Sequence, residues 1–332
     1  MTQPRWAINT FPWLEQADRP APRVRVIVDN DFSGDPDDLY QVVHHVLSPS
    51  VEIRGIVCSH LRPGDTLDPG PGTSANAVRR LRELFDVMDL DAEDLILQGA
   101  DAAIVDGATP HDTPAARAIV AEAMREDDRP LYVCCGGGLT DVVSAWLLEP
   151  AIAQRLTVIW IGGPEHEGLT SPWPPIGNPE YNLAIDVPAA QVLFGSSDLP
   201  LWLVPRNIYR ECLVSEIELQ RRVARKGALG AHLYDAVAAV ARGTWKHGAG
   251  YAETYALGDQ PLVLLTALQT FFEADTSAAA FAEVPAPRIA DDGALLPRPD
   301  GRPIRVYTHL DTRLMFEDLF LKLEAFTEWH EG

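Results

Sequence analysis

Short apolar segments alternate along the chain with segments whose apolar residues recur at helical spacing. In the first unit, Arg23–Val28 is predicted as a buried strand, with Asp35 as the N-cap and Pro36 as the first residue of the following helix. Further strands are predicted over 51–58, 95–97, 131–135, 156–161, 199–204 and 304–307, and helices over 74–88, 115–125, 140–148, 188–194 and 316–326. This alternation predicts an α/β fold with a mostly parallel sheet and helices on both faces. We expect a single domain over residues 23–332, preceded by an N-terminal arm over residues 1–22.

Two long segments between the predicted elements are rich in proline. The loop over 164–180 also contains Trp173, and a loop of this length is often functional. The stretch over 284–303 is predicted to be a surface excursion, because it combines five prolines with several charges.

Charge and composition exclude several classes of partner. The chain has 27 Lys and Arg residues against 48 Asp and Glu residues, a formal net charge of −21. Such a surface repels phosphate backbones and anionic lipids, so we expect neither nucleic-acid nor membrane binding. We find no apolar run long enough to span a bilayer, no secretion signal and no metal-type cysteine spacing. A cytoplasmic location is therefore expected.

The segment from Asp29 to Asp38 has five carboxylates within ten residues, directly after the first predicted strand. Ligands of open α/β sheets bind beyond the carboxyl ends of the strands. Carboxylates this close repel one another, and a hard cation such as Ca²⁺, which prefers oxygen ligands, would compensate them. Alternatively, Asp35, Asp37 and Asp38 are only solvated residues of a first helical turn, where negative charge is favourable.

An Asp-x-Asp after a strand is also typical of haloacid-dehalogenase-type phosphatases. Those enzymes need a second acidic pair near a later strand end. The late candidate segment, Gly258–Val263, contains only one acid, Asp259. Phosphoryl transfer is therefore the weaker alternative.

Six segments resemble, in order, motifs of the inosine–uridine nucleoside hydrolase family. They are Val26–Leu39, Cys135–Asp141, Trp160–Gly163, Glu180–Asp186, Leu257–Asp259 and Val306–Leu319. The similarity extends over roughly residues 24–326. It implies the family's Rossmann-like, single-domain fold. The Asp-Pro-Asp-Asp sequence at 35–38 also resembles a nucleoside-hydrolase-like group whose sugar substrates are not defined.

The resemblance assigns residues to a Ca²⁺ site and a sugar site. Carboxylates of Asp31, Asp38 and Asp259 and the carbonyl of Gly136 would bind the ion. Asp37 would hold a sugar hydroxyl or act as a further ligand. The residues implied to contact ribose are Glu180 and Asn182, with help from Asn178.

The implied reaction is Ca²⁺-dependent hydrolysis of the N-glycosidic bond of ribonucleosides to free base and ribose. A water held by the metal attacks as C1′ becomes cationic, as in glycoside hydrolysis. Asp31 is the expected general base, with Asp35 as the second candidate. We expect the substrate to be a small nucleoside or related glycoside, and the protein to be a homodimer or homotetramer.

The chain departs from the family where the leaving base is activated. Many members have a His immediately before the late Asp, but here that position is Gly258. His247 is the candidate replacement acid, and the simpler interpretation is an exposed histidine at a helix end. Trp173 is the candidate for stacking on a base. Two alternatives remain open: hydrolysis of another glycoside, and non-catalytic calcium-dependent sugar binding.

Two histidines of the first predicted helix are not assigned to the site. His44 and His45 are expected to face solvent or a neighbouring element.

Overall fold

The computed structural model describes residues 5–15, 21–170, 177, 179–244, 250, 252–270 and 277–332. The strands are β1 Trp6–Ala7, β2 Val24–Asn30, β3 Val51–Cys58, β4 Leu90–Asp91, β5 Ile96–Gln98, β6 Leu131–Cys135, β7 Thr157–Ile161, β8 Leu201–Val204, β9 Leu213–Ser215, β10 Thr254–Ala256, β11 Ala279–Pro285, β12 Arg288–Ile289, β13 Leu295–Leu296 and β14 Pro303–Leu310. The helices are α1 Asp37–Val46, α2 Thr73–Val87, α3 Pro114–Ala123, α4 Thr140–Leu148, α5 Val187–Gly195, α6 Arg206–Tyr209, α7 Glu216–Glu218, α8 Gly227–Thr244, α9 Pro261–Leu264 and α10 Thr312–Glu331.

Eight of these strands form one sheet in the order β11-β14-β8-β7-β6-β2-β3-β5. All neighbouring pairs are parallel except β11 and β14, which are antiparallel. The predicted α/β class with a mostly parallel sheet is therefore confirmed. β2 lies in the interior of the sheet, between β6 and β3, so the acidic segment after it emerges near the middle of the carboxyl edge.

Helices cover both faces of this sheet, and each face has its own apolar core. Val26 and Val28 of β2 pack in the core formed with α1, α2, α8 and α10. Ile27, between them, packs on the opposite face with α3, α4 and α5. This is the alternation expected of a strand whose successive side chains point to opposite faces. No helix in the described part of the chain is long and apolar enough to cross a membrane.

Two boundary predictions need correction. Helix α1 begins at Asp37, so Pro36 and not Asp35 occupies the N-cap position. The Asp35 carboxylate still accepts a hydrogen bond from the Asp37 N–H, at 3.3 Å. The stretch over 284–303 is more regular than predicted, because β11 ends in it and β12 pairs antiparallel with β13.

The N-terminal residues pack against the body of the protein. β1 pairs in parallel with β4, and the Trp6 indole N–H donates to the carbonyl of Met88 at 2.7 Å. The Trp6 ring lies 5.3 Å from Trp13 and 5.9 Å from Phe326 of α10, between ring centroids. These contacts involve Trp6 and Trp13, and the arm over residues 1–22 stays a prediction.

Replacing this buried indole should destabilise the protein without touching the acidic segment. For Trp6→Ala we expect the free energy of unfolding to fall by about 3–5 kcal/mol, because the change leaves a cavity and removes a hydrogen bond. Denaturant unfolding measures this value. Val105→Ala is the control, since Val105 is 87% exposed and should change stability little. Equal stabilities of Trp6→Ala and wild type would show that the arm does not pack as described.

Candidate active site

A cavity of about 280 Å³ opens at the carboxyl ends of β2, β6 and β7. Segments that are distant in the sequence meet there. The lining residues are Asp31, Asp35, Asp37, Asp38, Leu67, Gly136, Ile161, Glu180, Tyr181, Asn182, Tyr209, Arg210, Ala256, Gly258 and Asp259. The cavity therefore brings together Asp31, Asp35, Asp37, Asp38, Gly136, Glu180, Asn182 and Asp259, the candidate site residues that lie within the described part of the chain.

Three carboxylates form the centre of this cavity. Asp37, Asp38 and Asp259 each offer a carboxylate oxygen, and these oxygens all lie within 4.8 Å of one another. Asp38 and Asp259 are almost fully buried. Asp31 lines the same cavity but does not belong to this group of three.

The buried carboxylates lack the partners that would compensate a negative charge. Among the described residues, neither Asp31 Oδ2 nor Asp38 Oδ2 has a hydrogen-bond partner. Burial, together with the charges of Asp259 and Asp65, raises the pKa of Asp31 to about 8. Burial likewise raises the pKa of Asp259 to about 7, and the pKa of Asp38 is raised by burial and by its acidic neighbours. An oxygen-liganded divalent cation fits these residues, because it would satisfy the unpartnered oxygens and stabilise the ionised form.

Gly136 follows β6 and allows its backbone to approach these acids closely. A Cβ at this position would overlap the carboxylate of Asp259 and lie 2.7 Å from Asn30 Oδ1. The carbonyl oxygen of Gly136 accepts a hydrogen bond from the Asn182 amide at 2.7 Å, and the same amide donates to the carbonyl of Ile161 at 2.8 Å. Asn182 therefore links the ends of β6 and β7.

Glu180 is buried beside the cavity and is held by three donors. Its Oε2 accepts from the backbone N–H groups of Gly163, at 2.8 Å, and Leu183, at 3.0 Å. Its Oε1 accepts from the Tyr209 hydroxyl at 2.7 Å. This arrangement fixes the orientation of a carboxylate that lines the cavity.

Asp35 occupies a different environment from Asp31. The Tyr255 hydroxyl donates to Asp35 Oδ1 at 2.8 Å, in addition to the contact with the N–H of Asp37. Burial raises the pKa of Asp35, and these two hydrogen bonds oppose the rise.

The position before Asp259 is tightly enclosed. A Cβ at Gly258 would lie 3.3 Å from Asp37 Oδ2 and 3.3 Å from Cδ2 of the Tyr209 ring. A side chain at residue 258 would therefore require Tyr209 or Asp37 to shift by a few tenths of an ångström. The other predicted substrate and acid residues, Trp173, Asn178 and His247, lie outside the described residues.

Among the residues that sequence reasoning missed are Asn30 and Tyr209, and it also missed the hydrogen bond from Tyr255 to Asp35. Asn30 could have been predicted, because a polar residue at the end of a buried strand needs hydrogen-bond partners. The Tyr209 and Tyr255 hydroxyls reach Glu180 and Asp35 only through tertiary packing, so no local pattern identifies them.

His44 and His45 also turn out to be buried, which corrects the solvent-facing alternative. His44 Nε2 lies 2.8 Å from Asp318 of α10, and His45 Nε2 lies 2.8 Å from Thr266 Oγ1, just after α9. Both side chains therefore contact neighbouring elements.

A family model described as inosine-uridine preferring nucleoside hydrolase matches residues 26–313. The chain belongs to this nucleoside hydrolase family. It is a hydrolase that acts on N-glycosyl compounds, and membership of the family supports ribonucleosides as its class of substrate. The family is metal-dependent, and the group of Asp37, Asp38 and Asp259 is consistent with that property.

Solved nucleoside hydrolases share the fold at low sequence identity. A plant nucleoside hydrolase has a TM-score of 0.67 at 19% identity, over 92% of this chain and 100% of the plant chain. A purine-preferring ribonucleoside hydrolase from Gardnerella vaginalis has a TM-score of 0.67 at 14% identity, over 92% of this chain and 99% of its own. An inosine-guanosine nucleoside hydrolase has a TM-score of 0.67 at 16% identity, over 91% of this chain and 99% of its own. No curated protein matches the chain.

Substituting Gly136 should disrupt the metal site of this nucleoside hydrolase while leaving the fold in place. In Gly136→Ala the added methyl group must push Asp259 away, so we expect divalent-cation affinity to fall by at least about tenfold. Isothermal titration measures the affinity. Gly195→Ala is the matched control, because a Cβ at residue 195 meets no atom within 4 Å. Equal affinities in the two variants would contradict the close approach at Gly136.

The buried acids also predict how the stability of the metal-free hydrolase depends on pH. The folded chain keeps protons on Asp31 and Asp259, with pKa values raised to about 8 and about 7, whereas the unfolded chain releases them near 3.8. Because the folded state then binds more protons, stability should fall as the pH rises from about 4 to about 8. Thermal unfolding across this range measures the loss.

Two controls separate this effect from the titration of other groups. Saturating Ca²⁺ should reduce the loss, because a bound cation favours the ionised carboxylates. The double variant Asp31→Asn with Asp259→Asn should show a flatter dependence on pH. A melting temperature of the metal-free wild type that rises steadily from about pH 4 to pH 8 would contradict the assignment.

Proposed function

We propose that this nucleoside hydrolase is Ca²⁺-dependent, and that an aspartate activates the water that cleaves the N-glycosidic bond of a ribonucleoside. The products are the free base and ribose. The observation that carries the proposal is the convergence of Asp38 and Asp259, from opposite ends of the chain, in a cavity that also contains Asp31, Glu180 and Asn182.

The metal site is built from oxygen donors. Asp31, Asp38 and Asp259 would supply carboxylates and Gly136 its carbonyl, and Asp37 would be a further ligand or a sugar contact; all five residues line the cavity. Such an all-oxygen set is typical of Ca²⁺ sites. When bound, the ion supplies a fixed position for the sugar hydroxyls and for the attacking water.

Asp31 is better placed than Asp35 to accept the proton of that water. Its Oδ2 is buried in the cavity and has no hydrogen-bond partner among the described residues. The Asp35 carboxylate, by contrast, already accepts two hydrogen bonds at its Oδ1, from Tyr255 and from the N–H of Asp37. A general base needs an oxygen that is free to accept a proton, and the unpartnered Oδ2 of Asp31 supports this role.

The remaining polar groups bind the sugar and stabilise the transition state. Asp37, Glu180 and Asn182 are proposed to contact ribose hydroxyls, and the donors around Glu180 keep its carboxylate in place. Cleavage of the bond passes through a sugar with oxocarbenium character. The ring of carboxylates stabilises that positive charge, and burial strengthens the effect.

Activation of the leaving group favours a second candidate function. Gly258 supplies no acid, and Tyr209 and Asp37 enclose the position. The missing acid departs from the family pattern, so hydrolysis of another glycoside, whose leaving group is activated by a different residue, is the alternative. His247 and Trp173 remain proposed contacts for the leaving group, with Asn178 proposed to assist at the ribose. A panel of ribonucleosides and of other glycosides, assayed at saturating Ca²⁺, distinguishes the two functions.

The general-base assignment can be tested with a matched pair of variants. Asp31→Asn should lower kcat by about 10²–10⁴-fold, because the amide cannot accept the proton. Asp35→Asn removes a carboxylate from the same cavity and should lower kcat less. Release of free base from a ribonucleoside measures both rates, and Ca²⁺ titration shows whether each variant still binds the ion. A larger loss in Asp35→Asn would exchange the two roles.

The assembly and the location of the enzyme stay predictions. We propose a homodimer or homotetramer in the cytoplasm, which sedimentation of the purified protein and localisation in cells would test.

A further inference from the structure

We propose that Gln41 and His45 of α1 are positioning residues of the metal site, and that they fix the side-chain amide of Asn30 with its NH₂ group toward Asp259. The proposal rests on the Ca²⁺ dependence proposed above. None of the three residues is itself proposed as a metal ligand. They are connected by a chain of hydrogen bonds that runs from the metal site to Thr266.

Asn30 contacts two groups of the proposed metal site at once. Its Oδ1 accepts from the Gly136 N–H at 3.0 Å, a donor that is shared with the carbonyl of Asp29. Its Nδ2 lies 3.4 Å from Asp259 Oδ2 and donates to Gln41 Oε1 at 3.0 Å. Asn30 is the last residue of β2, and its side chain lies on the sheet face opposite to that of Asp29.

The series of hydrogen bonds continues along one face of α1. Gln41 and His45 are four residues apart, so their side chains are neighbours on the helix. Gln41 Nε2 contacts His45 Nδ1, and His45 Nε2 lies 2.8 Å from Thr266 Oγ1. Asn30, Gln41, His45 and Thr266 are all at most 1% exposed, so solvent does not substitute for these partners.

Thr266, at the end of this hydrogen-bond series, sets the direction of every hydrogen bond in it. The Thr266 hydroxyl has carbonyl acceptors at Leu262, 2.6 Å away, and at Val263, 3.4 Å away. We therefore assign its single hydrogen to Leu262 and its oxygen as the acceptor from His45 Nε2. His45 is therefore the Nε2–H tautomer, with a bare Nδ1 that accepts from the NH₂ group of Gln41. Gln41 Oε1 then faces Asn30 and can only accept, which leaves the Asn30 NH₂ group as the donor.

This direction matters for the proposed ion ligand Asp259. A reversed Asn30 amide would place its oxygen against the Asp259 carboxylate and lose the hydrogen bond from Gly136. If the Asn30 amide were reversed, Gln41 would have to turn its NH₂ group toward Asn30 and its oxygen toward His45 Nδ1. That nitrogen carries no hydrogen unless His45 changes its tautomer. The hydrogen-bond series therefore keeps the NH₂ group of Asn30 next to the Asp259 carboxylate. Hydrogen bonds from residues behind the ligands orient metal ligands in this way.

Calcium affinity tests the role of Gln41. Gln41→Met keeps a similar side-chain length but removes both hydrogen-bonding groups. We expect its Ca²⁺ dissociation constant, measured by isothermal titration, to rise about 10–100-fold. The matched control is Tyr40→Phe, on the same helix, because the buried Tyr40 hydroxyl has no hydrogen-bond partner among the described residues. Tyr40→Phe should bind Ca²⁺ like the wild type.

The tautomer of His45 is a second readout, and it tests the direction of the hydrogen bonds between Asn30 and Thr266 independently of metal binding. Two-bond ¹H–¹⁵N spectra of the wild-type protein labelled at histidine, assigned with His45→Gln, should show a neutral Nε2–H ring at pH 7. An Nδ1–H ring or an imidazolium would overturn the proposed direction of the hydrogen bonds. This measurement does not depend on whether Gln41→Met folds.

The outcomes separate this proposal from the proposed function. If the wild type binds no Ca²⁺, the calcium dependence fails and the role of Gln41 fails with it. If the wild type binds Ca²⁺ and Gln41→Met binds it equally well, the positioning role alone is overturned. Weaker binding in Gln41→Met, with unchanged binding in Tyr40→Phe and the Nε2–H tautomer, supports it.

Discussion

Burial of several carboxylates in one cavity is the constraint on which the rest of this site depends. Asp31, Asp38 and Asp259 are almost inaccessible to solvent, and oxygens of the first two have no partner among the described residues. Like charges in such surroundings either bind protons or bind a cation. The raised pKa values of Asp31 and Asp259 describe the first state. The second state is the one that we propose for the working hydrolase.

The fold meets this constraint through its parallel sheet. β2, β6 and β7 end at one edge, so the residues that follow them meet there although they are distant in the sequence. Gly136 lets the backbone come close to Asp259, and Asn182 joins the ends of β6 and β7. The buried amide of Asn30 and the helix behind it complete the support from the other face of the sheet.

Much of this arrangement could be predicted from the sequence. Strand and helix periodicity indicated the α/β class, and the acids after β2 indicated where a ligand would bind. The approach of Asp259 to Asp38 came only from the family resemblance, since no local pattern relates residues so far apart. The partners of Asp35 and Glu180, the burial of His44 and His45, and the enclosure of Gly258 could not be predicted, because they follow from how side chains of separate elements pack.

A crystal structure of the protein grown with Ca²⁺ tests the central claim most directly. We expect one ion at the carboxyl end of β2, bound by oxygens of Asp38 and Asp259 at about 2.3–2.6 Å. Crystals in which Asp38 and Asp259 contact no ion at saturating Ca²⁺, or in which Asp259 points away from Asp38, would contradict it.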